Sequence, residues 1–119
     1  MKNQIHSINW FEIPVLDFNR TKTFYSTLYA YEIEVMEMGS EKMGILHSDP
    51  EQGGISGTIV FGKDYRPNAV GNKVYLNGDP DFNDILGRVE TAGGKIAQEK
   101  TQITPEIGYM AVFKIQKAI

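Results

Sequence analysis

The sequence predicts an α+β domain in which one order of elements, strand–helix–strand–strand–strand, occurs twice. The tripeptide DFN stands at residues 17–19 and again at 81–83, an offset of 64 (81 − 17 = 64). At both places it joins a predicted strand to a predicted helix, and further strands follow, which is the mark of an internal repeat. A tandem of such units favours helices on one face of an antiparallel sheet.

The first unit opens with a strand over residues 5–15, where apolar residues dominate. Asp17 or Asn19 is expected to cap the next helix, because their side chains accept hydrogen bonds from the free N–H groups of a first turn. The helix is predicted to run to about Leu28 on a partial apolar stripe. Alternating or apolar runs predict three more strands, over residues 31–38, 43–48 and 57–62.

The second unit follows a polar linker over residues 63–72, which contains proline and glycine. The segment KVYLN, at 73–77, is predicted as a strand, and residues 79–94 as a helix that ends at Gly93 and Gly94. The apolar residues of this helix follow i, i+3, i+4, i+7 spacing: Phe82, Ile85, Leu86 and Val89. Two strands are predicted after it, over residues 95–98 and 108–115.

The composition is that of one globular domain, and it argues against several function classes. The chain has 119 residues and a formal net charge of −3, and no element concentrates Lys and Arg, so a nucleic-acid partner is not expected. The absence of cysteine excludes disulfides and thiolate chemistry and fits a reducing compartment. No apolar run approaches the ~18 residues of a membrane span. The N-terminus lacks an apolar signal region, so a cytoplasmic location is expected.

Three segments together resemble one protein superfamily: WFEIPVLDFNRTKTFYSTLY, KVYLNGDPDFNDILGRVETAGGKI and ITPEIGYMAVF. They are similar to the vicinal oxygen chelate superfamily, which includes glyoxalases, bleomycin-resistance proteins and extradiol dioxygenases. The resemblance implies a single domain, 1–119, of two βαβββ modules at about 5–62 and 73–119. It also implies that the sheets curl around a cleft usually completed in a homodimer, and that the protein is small, bacterial and cytoplasmic.

Enzymes of that superfamily hold a divalent metal in the cleft through His, Glu or Gln of the first and last strands of each module. The resemblance places the first of these positions on Trp10, whose indole is no ligand for a hard ion. The last strand of module one, 57–62, has no His, Asp or Glu, and the next position falls on Lys73, which is protonated at neutral pH. After GYMAVF the chain reads KIQKAI, so the last strand of module two is expected to be missing. No metal ligands and no cofactor are therefore predicted.

Glu12 is the candidate catalytic residue, as a general base or a ligand contact facing the cleft, where burial would raise its pKa. The alternative is a charge at a sheet edge, or one paired with Lys73 or Arg88. A pocket is predicted from one concave, partly aromatic set of side chains: Trp10, Glu12, Lys73, Tyr75, Asn77 and Tyr109. Trp10 could equally be ordinary packing.

Three functions stay open at this point. The first is a binding protein for a small organic molecule in a homodimer cleft, without the metal and with no nucleic-acid or membrane partner. The second is a metal-dependent lyase, isomerase or dioxygenase with other ligands, such as Glu12 and His47; His6 is the second histidine of the chain. The third is a truncated member without a ligand of its own.

Overall fold

The fold consists of a four-stranded sheet, a two-stranded sheet and two helices. The structure, a computed structural model, describes residues 7–49, 51, 53–68, 73–78 and 82–115. In chain order the elements are β1 (Phe11–Pro14), α1 (Phe18–Tyr29), β2 (Glu34–Met38), β3 (Glu41–Ile45), β4 (Gly57–Phe61), α2 (Asn83–Arg88), β5 (Gly94–Thr104) and β6 (Gly108–Ile115). The α+β class is confirmed. Neither helix in these ranges has the length and hydrophobicity that a membrane crossing requires.

The four-stranded sheet has the order β1-β4-β3-β2. β2, β3 and β4 pair antiparallel, but β1 and β4 pair parallel, so the prediction of a wholly antiparallel sheet is wrong. The reason lies in the connection. Helix α1 returns the chain to the end of the sheet where β1 began, so that β2 and, two reversals later, β4 run in the direction of β1. The first unit therefore has the predicted order, strand–helix–strand–strand–strand.

One face of this sheet packs on α1. Ile59 is fully buried in the core, and Ile13, its cross-strand partner, packs against that core. Gly44 pairs with Ile59 on the same face, where a Cβ atom would lie 2.8 Å from Cγ2 of Ile33. Only glycine therefore fits between the sheet and the core at this position.

The opposite face of the sheet points away from α1, and we call it the helix-distal face. By the alternation of each strand and the cross-strand register, its residues are Glu12, Pro14, Glu34, Met36, Met38, Glu41, Met43, Ile45, Thr58 and Val60.

Helix α1 begins where the sequence predicts. Asp17 is its N-cap, and the side chain accepts a hydrogen bond of 3.1 Å from the backbone N–H of Arg20. The helix ends at Tyr29, because Ala30 takes a left-handed conformation with φ of 51°. Its buried residues are Phe18, Thr21, Phe24, Tyr25 and Leu28.

The β5–β6 hairpin joins the rest of the fold through aromatic contacts on α1. The ring of Phe113 lies 5.5 Å from the ring of Phe24 and 6.4 Å from that of Tyr25. Gly94, the first residue of β5, lies so close to Phe24 that a Cβ atom there would approach the ring to 2.6 Å. In addition, Arg88 donates a 2.9 Å hydrogen bond from Nε to the carbonyl of Leu28, near the end of α1.

The second unit differs from the prediction at its start. Residues 73–78 belong to neither sheet, so the predicted strand at 73–77 is wrong. A strand forms only by pairing with a neighbour, and a pattern of five residues does not determine whether such a neighbour is found.

The remaining differences concern bounds. The described part of helix α2 is shorter than predicted and gives way to turns before Gly93, whose φ is 103°. Strand β5 extends well past the predicted 95–98, whereas β6 has the predicted bounds. The predicted residues at 5–6, 79–81 and 116–119 lie outside the described ranges.

We predict that Gly94→Ala destabilises the fold by about 1–3 kcal/mol, because a methyl group would press on Phe24 and on the carbonyl oxygen of Lys114, 2.8 Å away. Gly87→Ala is the matched control: no atom lies within 4 Å of its Cβ position inside α2, so the change is expected to stabilise by about 0.5–1 kcal/mol. Urea unfolding measures both. Equal stability of the two variants would contradict the close contact between Gly94 of β5 and Phe24 of α1.

Candidate functional site

The helix-distal face carries a hydrogen bond between two side chains distant in sequence. The hydroxyl of Tyr65 donates to Oε1 of Glu12 over 3.2 Å. Tyr65 follows β4 in a turn, in which its backbone N–H bonds the carbonyl of Gly62 at 3.1 Å. Its ring packs against Gly62, where a Cβ atom would lie 3.3 Å from Cδ2 of Tyr65. The side chain of Tyr65 therefore reaches from the end of β4 to the edge strand β1.

Two residues close to Glu12 on this face are buried. Glu12 pairs with Thr58 in the register of β1 and β4, and Val60 lies between Thr58 and Gly62 along β4. Val60 is fully buried and Thr58 is 1% exposed, although both lie on the face away from α1. The helix-distal face is therefore not uniformly open to solvent.

Acidic groups surround the Tyr65 hydroxyl. The hydrogen bond to Glu12 raises the pKa of Tyr65 above its ordinary value of 10.0. Partial desolvation and the negative charges of Glu12, Glu41 and Asp64 act in the same direction. The acidic groups that act on this phenol are thus Glu12, Glu41 and Asp64, whereas Lys63 and Arg66 line the depression beside it.

Thr58 has an unusual environment for a polar side chain. Its Oγ1 atom is buried and makes no hydrogen bond within the part of the chain that the structure describes. An unsatisfied buried hydroxyl costs roughly 1–3 kcal/mol. Thr58 stands between Glu12 on β1 and Ile45 on β3. Thr58 and Glu12 are thus neighbouring residues on the same face.

Two open depressions lie at the end of the sheet, beside the start of α1. The larger, about 500 Å³, lies by the N-terminus of α1 and the β2–β3 turn. The smaller, about 420 Å³, includes Tyr65 in its wall. Its lining residues are Val15, Leu16, Ser40, Phe61, Gly62, Lys63, Tyr65 and Arg66.

The six residues of the predicted pocket have different surroundings. Trp10 stands directly before β1 and is 48% exposed, and alternation places it on the side of Glu12. Lys73 and Tyr75 are exposed in the segment that forms no strand. Tyr109 lies on β6, where the Nζ atom of Lys100 stands 4.8 Å from its ring centre. A single pocket formed by all six residues stays a prediction.

Asn77, the sixth residue, lies near His47. The backbone of Asn77 hydrogen-bonds His47, and the imidazole stacks on Tyr29 with ring centres 4.0 Å apart. Burial lowers the pKa of His47 below 6.5, and the bond to Asn77 opposes that shift. Burial also raises the pKa of Tyr29 to about 12.

Glu12 and His47 do not form part of a metal site among the described residues. Among the described residues, no group of three His, Cys, Asp or Glu could hold a metal ion. His6 lies outside those residues. The expected alternative partners of Glu12 are also corrected: its side chain bonds Tyr65, and Arg88 is engaged with the carbonyl of Leu28. The other alternative, a charge on an edge strand, agrees with the place of β1 in the sheet.

Sequence reasoning missed two residues of this site. Tyr65 fell within the predicted linker 63–72, and no local pattern distinguishes it there. Thr58 was not singled out: its strand, 57–62, was noted only for having no His, Asp or Glu. The available signal was its position as the one hydroxyl in the otherwise apolar strand GTIVF.

Two crystal structures show a similar fold. One is a point variant of glyoxalase I from Zea mays, with a TM-score of 0.62 and 18% identity over 87% of this chain and 40% of that chain. This chain thus spans about two fifths of the maize protein. The other is a glyoxalase/bleomycin resistance protein from Albidiferax ferrireducens T118, with a TM-score of 0.58 and 16% identity over 92% of this chain and 91% of that chain.

Neither a protein-family model nor a curated protein matches the sequence. The resemblance predicted from the sequence is confirmed at the level of the fold. Identities this low show the fold alone and transfer no activity.

We predict that Glu12→Gln lowers the pKa of Tyr65 toward 10.0, because the ionised phenol would no longer face a carboxylate. A raised phenol pKa means that the contact stabilises the fold below pH 10, and that this stability is lost as the pH rises through the folded pKa. Difference absorption of the phenolate, with Tyr65→Phe subtracted, measures the change. Glu90→Gln removes an exposed charge beyond α2 and should leave the pKa unchanged. If the Tyr65 phenol had the same pKa in wild type and in Glu12→Gln, the hydrogen bond would not be the cause of the raised pKa.

Proposed function

We propose that this protein binds a small organic molecule on the helix-distal face, at Glu12, Thr58 and Tyr65, without the metal site of the superfamily it resembles. The observation that carries the proposal is the buried hydroxyl of Thr58, which makes no hydrogen bond within the described residues and belongs to the residue paired with Glu12. A polar group of a bound ligand would give this oxygen a partner.

The composition of the face supports the same function. Six of its ten strand residues are apolar, and three of these are methionines. The apolar residues are Pro14, Met36, Met38, Met43, Ile45 and Val60. Small-molecule sites are typically apolar surfaces with a few placed polar groups. Methionine side chains are flexible and adapt to ligands of irregular shape.

The metal of the superfamily does not fit the residues found here. Glu12 is engaged with Tyr65, and the neighbouring residue on β4 is Thr58, whose neutral hydroxyl is a poor ligand. We therefore propose no metal-dependent reaction at this site. The sequence left a metal-dependent lyase, isomerase or dioxygenase open as an alternative. No set of metal ligands among the described residues supports it.

We also propose that two copies of the chain associate and that their sheets enclose the site in a cleft. Large apolar side chains are exposed on both sheets, among them Met38 and Tyr109. A partner copy would cover such surface.

In solution we expect a dimer with twice the protomer mass of 13.4 kDa. Burial of exposed apolar side chains such as Met38 and Tyr109 supplies the driving force for association. Size-exclusion chromatography with light scattering over a range of concentrations measures the mass. A monomer at all concentrations would contradict the dimer, although binding on the helix-distal face could still be tested by itself.

Thr58→Val is expected to stabilise the free protein by about 1 kcal/mol and to weaken ligand binding. The change removes the unpartnered hydroxyl and keeps a branched side chain of the same shape. Thr58→Ser is the matched control, because it keeps the hydroxyl and loses the methyl group, which costs about 1 kcal/mol of stability. Urea unfolding gives the stabilities, and thermal shifts with a metabolite panel give the binding. A Thr58→Val protein that is less stable than wild type would show that the hydroxyl already has a partner.

A further inference from the structure

All formal charges on the helix-distal face have the same sign. Its strand residues include Glu12, Glu34 and Glu41, but no lysine or arginine. Lys42, which alternates with Glu41 along β3, points to the other face, where its Nζ atom lies 5.3 Å from the ring centre of Phe18. The sheet thus separates its charges, and the face away from α1 keeps the acidic ones.

A second observation makes this more than a cluster of carboxylates. The Oγ1 atom of Thr58 is buried, lacks a partner among the described residues, and belongs to the residue paired with Glu12. Paired residues on neighbouring strands are about 4.8 Å apart. The Glu12 carboxylate accepts hydrogen bonds, and the Thr58 hydroxyl can accept as well as donate, so a group with several donors is able to satisfy both.

We infer that this face binds a hydrophobic organic cation, an amine on an aromatic or branched apolar skeleton, whose ammonium group donates to Glu12 and to Thr58. This inference rests on the proposed function. An ammonium group has three donors and a positive charge, so it satisfies the Thr58 hydroxyl and neutralises Glu12 together. It takes the place that the Tyr65 hydroxyl holds at Glu12.

The rest of the face suits the apolar part of such a molecule. Met36 and Met43 are cross-strand partners, and Val60 pairs with Met43 on the next strand, which makes an apolar row beside Glu12 and Thr58. Trp10 stands directly before β1, and its half-exposed ring is of the kind that makes cation–π contacts. An anionic ligand would be repelled by the Glu12 carboxylate.

The test uses three compounds that share one skeleton: 2-phenylethylamine, 2-phenylethanol and phenylacetate. Titration calorimetry with the full chain is expected to show that the amine binds about tenfold more tightly than the alcohol, because only the amine pairs with a carboxylate. Added salt should reduce this preference, and Glu12→Gln should remove it. Glu90→Gln, which removes an exposed charge elsewhere, should preserve it.

The outcomes separate this inference from the proposed function. If the alcohol or the acid binds as tightly as the amine and Thr58→Val weakens that binding, the inferred positive charge of the ligand is wrong, whereas the proposed site is correct. If the amine preference persists in Glu12→Gln, the assigned carboxylate is wrong. If none of the three binds, the inference falls, and the proposed function falls with it only when a wider panel of neutral and anionic metabolites also fails.

Discussion

The rest of the structure depends on the packing of α1 through Phe24. This side chain is 1% exposed and meets Tyr25, Phe113 and the backbone at Gly94. Through that contact one helix closes the core of the four-stranded sheet and holds the β5–β6 hairpin. Because apolar burial is satisfied on this side of the sheet, the opposite face is free to carry carboxylates and a buried hydroxyl that a core would not tolerate.

Much of the first unit could be predicted because its signals are local. The cap at Asp17, the alternation in β2 and the apolar strand β4 are each determined by neighbours within a few residues. Strand β6 likewise follows its own alternation and has the predicted bounds. The segment 73–77 was predicted as a strand from its local pattern, yet it pairs with no described strand, because a local pattern does not determine which strands meet.

The site could be predicted only in part, for a related reason. Glu12 was identified because it interrupts an apolar run, which is a local signal. Its partner Tyr65 lies 53 residues further along the chain in a segment with the composition of a linker, so no sequence pattern connects them. Thr58 becomes informative only when the register shows that it stands beside Glu12 and that nothing among the described residues bonds its oxygen.

The contact between Tyr65 and Glu12 bears on which ligand the proposed site would admit. Glu12 already accepts a hydrogen bond from the Tyr65 hydroxyl, so a ligand that takes this place would have to offer Glu12 a better donor. The phenol–carboxylate hydrogen bond carries a charge on the acceptor only, whereas an ammonium group adds a positive charge on the donor and would form an ion pair. A carboxylate ligand has no donor and would be repelled. In the proposed site, this hydrogen bond would therefore favour positively charged ligands.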